Sequence, residues 1–157
     1  MKKLWWMLGL GLVALSLGQT SNTIAYPEGY RSWVHVKSMI VEKGHPLFDL
    51  VGGLHHIYAN DKAMQGYRAN PRVFPEGSVI VFDLLEPITG NNAVVEGARK
   101  AVIVMVKDSR RFASTGNWGY AVFQGSSRNP ASIDVNSCFE CHKGAANTDF
   151  IFSSYRP

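Results

Sequence analysis

The chain has 157 residues, of which 16 are basic and 12 acidic, and its formal net charge is +4. This length suits one domain that can bury a core, and no internal repeat, low-complexity tract or linker divides it. The lysines and arginines are scattered rather than clustered, which predicts an ordinary solvated surface and argues against a nucleic-acid partner.

The N-terminus predicts an export signal over residues 1–20. A short basic start at residues 1–3 leads into an apolar run at 4–18, and polar residues follow at 19–22. The run is short for a membrane span, so we expect a cleaved secretory signal, with an uncleaved membrane anchor as the alternative. The remaining domain, residues 21–157, is expected to be periplasmic or secreted. Its formal charge falls to +2, because two lysines and no acidic residue leave with the signal.

Five apolar runs, several of them rich in aromatic and β-branched residues, predict strands at 32–40, 54–59, 78–84, 101–106 and 119–123. Runs that are apolar at every position predict strands covered on both faces, by helices or by another subunit. Pro87–Asn92 predicts a polar, turn-rich loop. The predicted fold is therefore mainly β (α+β), an antiparallel sheet with a few short helices.

Three helical segments are predicted between and after these strands. Asn60 is a suitable N-cap for a helix from Asp61 to about Arg68. Asp108 or Ser109 is expected to cap a short helix through Ala113. A third short helix is expected at 137–143, close to the C-terminus.

That last segment contains the only two cysteines of the chain, in the sequence Cys138-Phe139-Glu140-Cys141-His142. Cys-x-x-Cys-His is the attachment signature of c-type haem: two thiols can add to the two vinyl groups of one porphyrin, and the adjacent histidine can ligate the iron. The alternatives are a thioredoxin-like redox pair or half of a zinc site, but no convincing further zinc ligands accompany it. We expect one covalently bound haem c on a C-terminal haem-attachment segment, with His142 as the axial iron ligand.

No methionine follows Cys141, so a sixth iron ligand would have to come from upstream. The candidates are Met39, Met64, Met105, His35, His45, His55 and His56. The methionines in apolar runs are more simply core residues, and His35 and His45 more simply surface or loop residues. An iron with one open face, able to bind a small ligand, is the favoured interpretation.

The chain resembles the cytochrome P-460 and cytochrome c′-beta family along its whole exported region. The resemblance rests on short motifs in this order: Tyr30-Arg31-Ser32-Trp33-Val34, His56-Ile57-Tyr58-Ala59-Asn60, Pro75-Glu76-Gly77-Ser78-Val79, Val106-Lys107-Asp108-Ser109-Arg110, Gly116-Asn117-Trp118-Gly119, the Cys-x-x-Cys-His segment and Asp149-Phe150-Ile151-Phe152. It implies a predominantly β fold, a homodimer and one covalent haem with an open distal side.

The resemblance also implies which residues face the open side. Members that oxidise hydroxylamine carry a lysine joined to the porphyrin, at the position that is Phe82 here. Their acidic distal residue falls near Ile103 and a distal arginine near His55, which predicts an apolar pocket with one polar group. Phe48 is a candidate for a second aromatic ring. His55 is expected to donate a hydrogen bond to a ligand, to bind the iron or to face solvent, and His56 to point to the opposite side of its strand.

Three functions follow from these features. The preferred one is an exported monohaem protein that binds nitric oxide or a related small nitrogen species. The second is a redox enzyme acting on hydroxylamine, nitric oxide or peroxide, with His55 as its candidate catalytic group. The third is a six-coordinate electron carrier, and any of them could have a periplasmic redox partner.

Overall fold

The structure is a computed structural model, and it describes residues 22–157. The predicted export signal at 1–20 lies outside the described residues. Within residues 22–157, no helix is both long and apolar enough to cross a membrane.

The fold is a single antiparallel sheet in which each strand pairs with the next along the chain. Its strands are β1 Val34–Val41, β2 Gly53–Ala59, β3 Val79–Gly90, β4 Ala93–Lys107 and β5 Trp118–Gln124. The helices are α1 Phe48–Val51, α2 Asp61–Arg68 and α3 Val135–His142, with short 3-10 turns at Tyr30–Ser32, Ala113–Thr115 and Lys143–Thr148. The predicted mainly β fold with a few short helices is confirmed, and each of the five predicted strands is present.

Both faces of the central strands are buried, as the continuous apolar runs predicted. Val81, Val102 and Val104 are fully buried on the outer face, under the N-terminal segment. Ile80 and Met105 face the other way, toward α2 and the C-terminal segment. We call this second side the inner face. Alternation along each strand therefore sends every second residue of β3 and β4 to the inner face.

Asn60 caps α2 and also joins it to the sheet. Its side-chain oxygen accepts hydrogen bonds from the backbone N–H groups of Ala63, at 2.9 Å, and Val79, at 3.1 Å. The predicted helix is confirmed from Asp61 to Arg68, and Asn60 is its N-cap, as predicted. Because one side chain fixes both the helix and the start of β3, the inner face has a defined edge.

Two local predictions were wrong. The segment Pro87–Gly90 is not loop but the end of β3, and only Asn91 and Asn92 form the turn, both with positive φ (50° and 58°) as a two-residue hairpin of this kind requires. Asp108 does not start a helix. Its carboxylate accepts from the N–H groups of Arg110 and Arg111 in a turn, and a 3-10 turn follows only at Ala113–Thr115.

Candidate functional site

The two cysteines and the histidine of the C-terminal motif lie on one side of α3. Cys138 precedes Cys141 by three residues and His142 by four, the spacings that place side chains on the same helix face. Asp134 caps the helix by accepting from the N–H of Asn136 at 3.0 Å. The thiols are free: Cys138 is partly buried and Cys141 exposed, and burial, with Asp134 nearby, raises the pKa of Cys138. The predicted helical setting of the motif is confirmed.

His142 has one ring nitrogen committed and one available. Its Nδ1–H donates to the carbonyl oxygen of Phe150 at 2.7 Å, because a carbonyl can only accept. Burial lowers the pKa of the ring, although the Phe150 bond opposes that shift. A neutral imidazole held through Nδ1 presents a bare Nε2, the form in which histidine ligates a metal.

The carbonyl that orients His142 belongs to a strained pair of residues. Asp149 and Phe150 both have positive φ, 53° and 65°, which is unusual for a residue as large as Phe150. Asp149 fixes the pair: its carboxylate accepts from Lys107 at 2.6 Å and from the Phe74 backbone N–H at 2.8 Å, and its carbonyl accepts from Trp118 Nε1 at 2.9 Å. The strain is thus maintained by packed neighbours at the point where it positions His142.

Beside α3, the inner face of the sheet forms a half-covered apolar floor. Phe82 pairs with Ile103, and Ile103 with Val122, in one row across β3, β4 and β5. All three are only partly buried, whereas the row above them, which includes Met105 and Tyr120, is buried. The Tyr120 ring lies 5.3 Å from that of His142, so α3 stands next to the floor.

These features coincide with a match to a known family. The family model for cytochrome P460 matches residues 27–153, most of the chain. The chain belongs to the cytochrome P460 family. No curated protein matches it.

The cytochrome P460 family implies a haem cofactor, and the residues present fit one. Two thiols and a bare imidazole nitrogen share a helix face, and the floor offers apolar contact area. Tyr120 Oη is buried without a hydrogen-bond partner among the described residues. Burial raises the pKa of this hydroxyl, and Cys138 and Cys141 raise it further. Such an orphaned group is costly unless something else satisfies it. Within residues 22–157, no three His, Cys, Asp or Glu side chains converge as a metal site.

His55 lies on the inner face, next to the floor. It pairs with Leu84, and its ring meets that of Phe82 edge-on with centroids 4.1 Å apart. The side chain is fully buried, so the expectation that it faces solvent is wrong. His56 points to the outer face, as predicted, where it contacts Ser38 at 2.7 Å and Glu96 at 2.8 Å.

The remaining candidates have simpler places. His35 and His45 are exposed, and Met64 and Met105 are buried core residues. Met39 packs at the border of the same cluster as Phe82 and Cys138. Phe48 is 37% exposed on α1 and does not belong to that cluster, and its place as a second ring of the pocket stays a prediction.

Two residues of the site were not predicted from the sequence: Tyr120 and Val122. Strand alternation within the predicted run 119–123 would have placed both on the face of Phe82, had the register of β5 been known. The hydrogen bond from His142 to the Phe150 carbonyl could not be predicted from the sequence, in which Phe150 is marked only as part of a family motif.

Proposed function

We propose that this chain is an exported c-type haem protein that binds nitric oxide or a related small nitrogen species at an open iron face. In this proposal Cys138 and Cys141 would hold one haem through two thioether bonds, and His142 would ligate its iron. The bound haem supplies the iron that holds the ligand. Phe82 and Ile103 would line the apolar surface beside which the small ligand would bind. The export signal would place the protein in the periplasm, which N-terminal sequencing of the mature protein can test.

The observation that carries the proposal is the combination of a committed Nδ1 and a free Nε2 on His142, next to a half-covered apolar floor. The His142 ring offers Nε2 as an iron ligand. The apolar side chains of the floor offer no second iron ligand. Neutral diatomic molecules need no counter-charge in such an apolar pocket. Phe82 also leaves the family's cross-linking position without a nucleophilic nitrogen.

The test is titration of the reduced, purified protein with nitric oxide, followed by visible absorption, after mass spectrometry of the haem-loaded chain. We expect one haem per chain and one nitric oxide per haem. His142→Ala should keep the covalent haem but alter the spectrum of the ligand-free protein, and the exposed-loop control His45→Ala should match wild type. Absence of covalent haem, or of nitric oxide binding, would contradict the proposal.

A redox enzyme is the second candidate, because one buried polar side chain faces the floor. His55 is the only histidine on the inner face of the described chain, and its Nδ1 has no partner there. A general base within reach of a bound substrate is what dehydrogenation of hydroxylamine needs. If His55→Ala leaves turnover of hydroxylamine unchanged, this candidate loses its support. A six-coordinate electron carrier would instead need a protein ligand such as Met39 on the second face of the haem.

We also propose a homodimer formed through an arm of the sheet. Beyond Leu85 in β3 and Ala101 in β4, no other described strand pairs with this hairpin. We call residues 86–100 the arm. Its apolar side chains Ile88, Val94 and Val95 are 45–54% exposed. A two-stranded hairpin is marginally stable alone in water, so a second copy packed against the arm would stabilise it.

A further inference from the structure

The hydrogen-bonding role of His55 is fixed by the backbone next to it. Its Nε2 contacts the carbonyl oxygen of Val51, which is at the end of α1, and a carbonyl only accepts. Nε2 therefore carries the proton. Burial lowers the pKa of the ring, and nearby Lys100 adds to this effect although the Val51 bond opposes it. The ring is neutral at pH 7, and Nδ1 has a free lone pair.

That lone pair is one of two unsatisfied side-chain groups on the inner face of the described residues, and the other is the Tyr120 hydroxyl beside α3. The His55 side chain is fully buried, and Nδ1 has no hydrogen-bond partner among residues 22–157. The ring cannot turn away easily, because Val51 holds one edge and Phe82 packs against it at 4.1 Å. The two nitrogens of an imidazole point in different directions, so Nδ1 is directed away from Val51. A buried acceptor in this state favours any molecule that brings a hydrogen to it.

We propose that His55 determines ligand specificity by accepting, through Nδ1, a hydrogen bond from an N–H or O–H group of the molecule bound over the Phe82 floor. The pocket would then favour small nitrogen compounds that carry hydrogen over nitric oxide, which carries none. This inference rests on the proposed function and names the class of ligand within it. It also replaces the expectation that His55 donates to the ligand, since the only proton on the ring is already used.

The side chains next to His55 and Phe82 on the sheet supply no other strong acceptor. Phe82 and Ile103 have no polar side-chain atoms, and neither has Leu84, the neighbour of His55 on β3. Met39, its neighbour on β1, has only a weakly accepting thioether sulfur. Lys100, the cation that lowers the pKa of His55, donates a hydrogen bond from Nζ to the carbonyl oxygen of Gly52 at 2.7 Å and lies 3.5 Å from Glu86. His55 Nδ1 is therefore the strong hydrogen-bond acceptor that these side chains offer to a ligand beside His55.

The test compares dissociation constants for two probes, hydroxylamine and nitric oxide, on the oxidised haem-loaded protein under anaerobic conditions. Initial changes in visible absorption report binding before any turnover. His55→Phe keeps an aromatic ring against Phe82 but removes the acceptor. We expect it to weaken hydroxylamine binding by about two- to tenfold, the range for one neutral hydrogen bond, and to leave nitric oxide binding within about twofold. His55→Gln, which retains an accepting oxygen, should recover part of the loss.

The control is His56→Ala, which removes the adjacent histidine from the outer face and should leave both constants unchanged. Circular dichroism of each variant verifies folding. Equal weakening of both probes, or no weakening of hydroxylamine in a folded His55→Phe protein, would overturn the inference while leaving the proposed function intact. If the wild-type protein binds neither hydroxylamine nor nitric oxide, the proposed function is overturned, and this inference with it.

Discussion

The buried carboxylate of Asp83 lies directly behind Phe82 on β3, and we expect its removal to destabilise the strand that carries the floor of the site. Asp83 is fully buried and accepts from Arg31 Nε at 2.8 Å and Arg99 Nε at 2.9 Å. Burial alone would raise the pKa of this carboxyl, but the hydrogen bonds from Arg99 and Arg31 and the positive charge of Arg99 outweigh it, so the pKa is lowered.

The size of the effect follows from how much water reaches the two arginines. Removing one partner of a buried ion pair costs about 3–5 kcal/mol. The side chains of Arg31 and Arg99 are 42% and 29% exposed, so solvent partly replaces the lost carboxylate. We therefore expect Asp83→Asn to lower the free energy of unfolding by about 2–3 kcal/mol. Glu96→Gln is the matched control: Glu96 also pairs with Arg31, at 3.3 Å, but is 44% exposed, and should cost about 0–1 kcal/mol.

Thermal unfolding followed by circular dichroism measures both variants. At pH 7 the expected fall in Tm for Asp83→Asn is about 6–10 °C for a domain of this size. Because the folded pKa of Asp83 lies below its unfolded value of about 3.9, its contribution is complete above that pH and is lost as the pH falls through the folded pKa. The difference between wild type and variant should shrink in acid. Equal stability of Asp83→Asn and Glu96→Gln at pH 7, or a difference that grows in acid, would refute this reasoning.

Two further predictions concern the edges of the site. Asn60→Ala removes the shared cap of α2 and β3 and should cost about 1–2 kcal/mol, measured by urea unfolding; a loss below about 0.5 kcal/mol would mean that the cap does not join the two elements. Ile88→Lys places a charge on the exposed arm and should shift the protein from dimer to monomer in light scattering after gel filtration, whereas Val73→Lys, at a similarly exposed apolar residue (61% against 54%), should not. A wild-type monomer would contradict the second prediction.

Local signals predicted the elements that local physics determines. The Asn60 cap, the apolar runs of β2 to β5 and the helical setting of Cys138 and His142 all depend on residues within a few positions of each other. Strand alternation also placed His55 and His56 on opposite faces. These predictions needed no knowledge of which strands are neighbours.

Features that depend on distant pairing could not be predicted in the same way. Nothing near Asp83 in sequence indicates that Arg31 and Arg99 neutralise it, because the three residues meet only once β3 has paired with β4 and the N-terminal segment has packed across them. Pro87–Gly90 has the composition of a loop and is a strand only because β4 pairs with it. The bond from His142 to the Phe150 carbonyl likewise requires the strained backbone that Asp149 maintains.

The visible absorption spectrum of the dithionite-reduced, ligand-free protein tests the central claim most directly. The account predicts a broad, high-spin spectrum with a Soret band at an ordinary position, since His142 would be the only protein ligand and Phe82 could not join the porphyrin. A low-spin, six-coordinate spectrum would mean that a second side chain ligates the iron. A strongly red-shifted Soret band would mean that a lysine has reached the porphyrin, and either result would contradict the open, uncross-linked site.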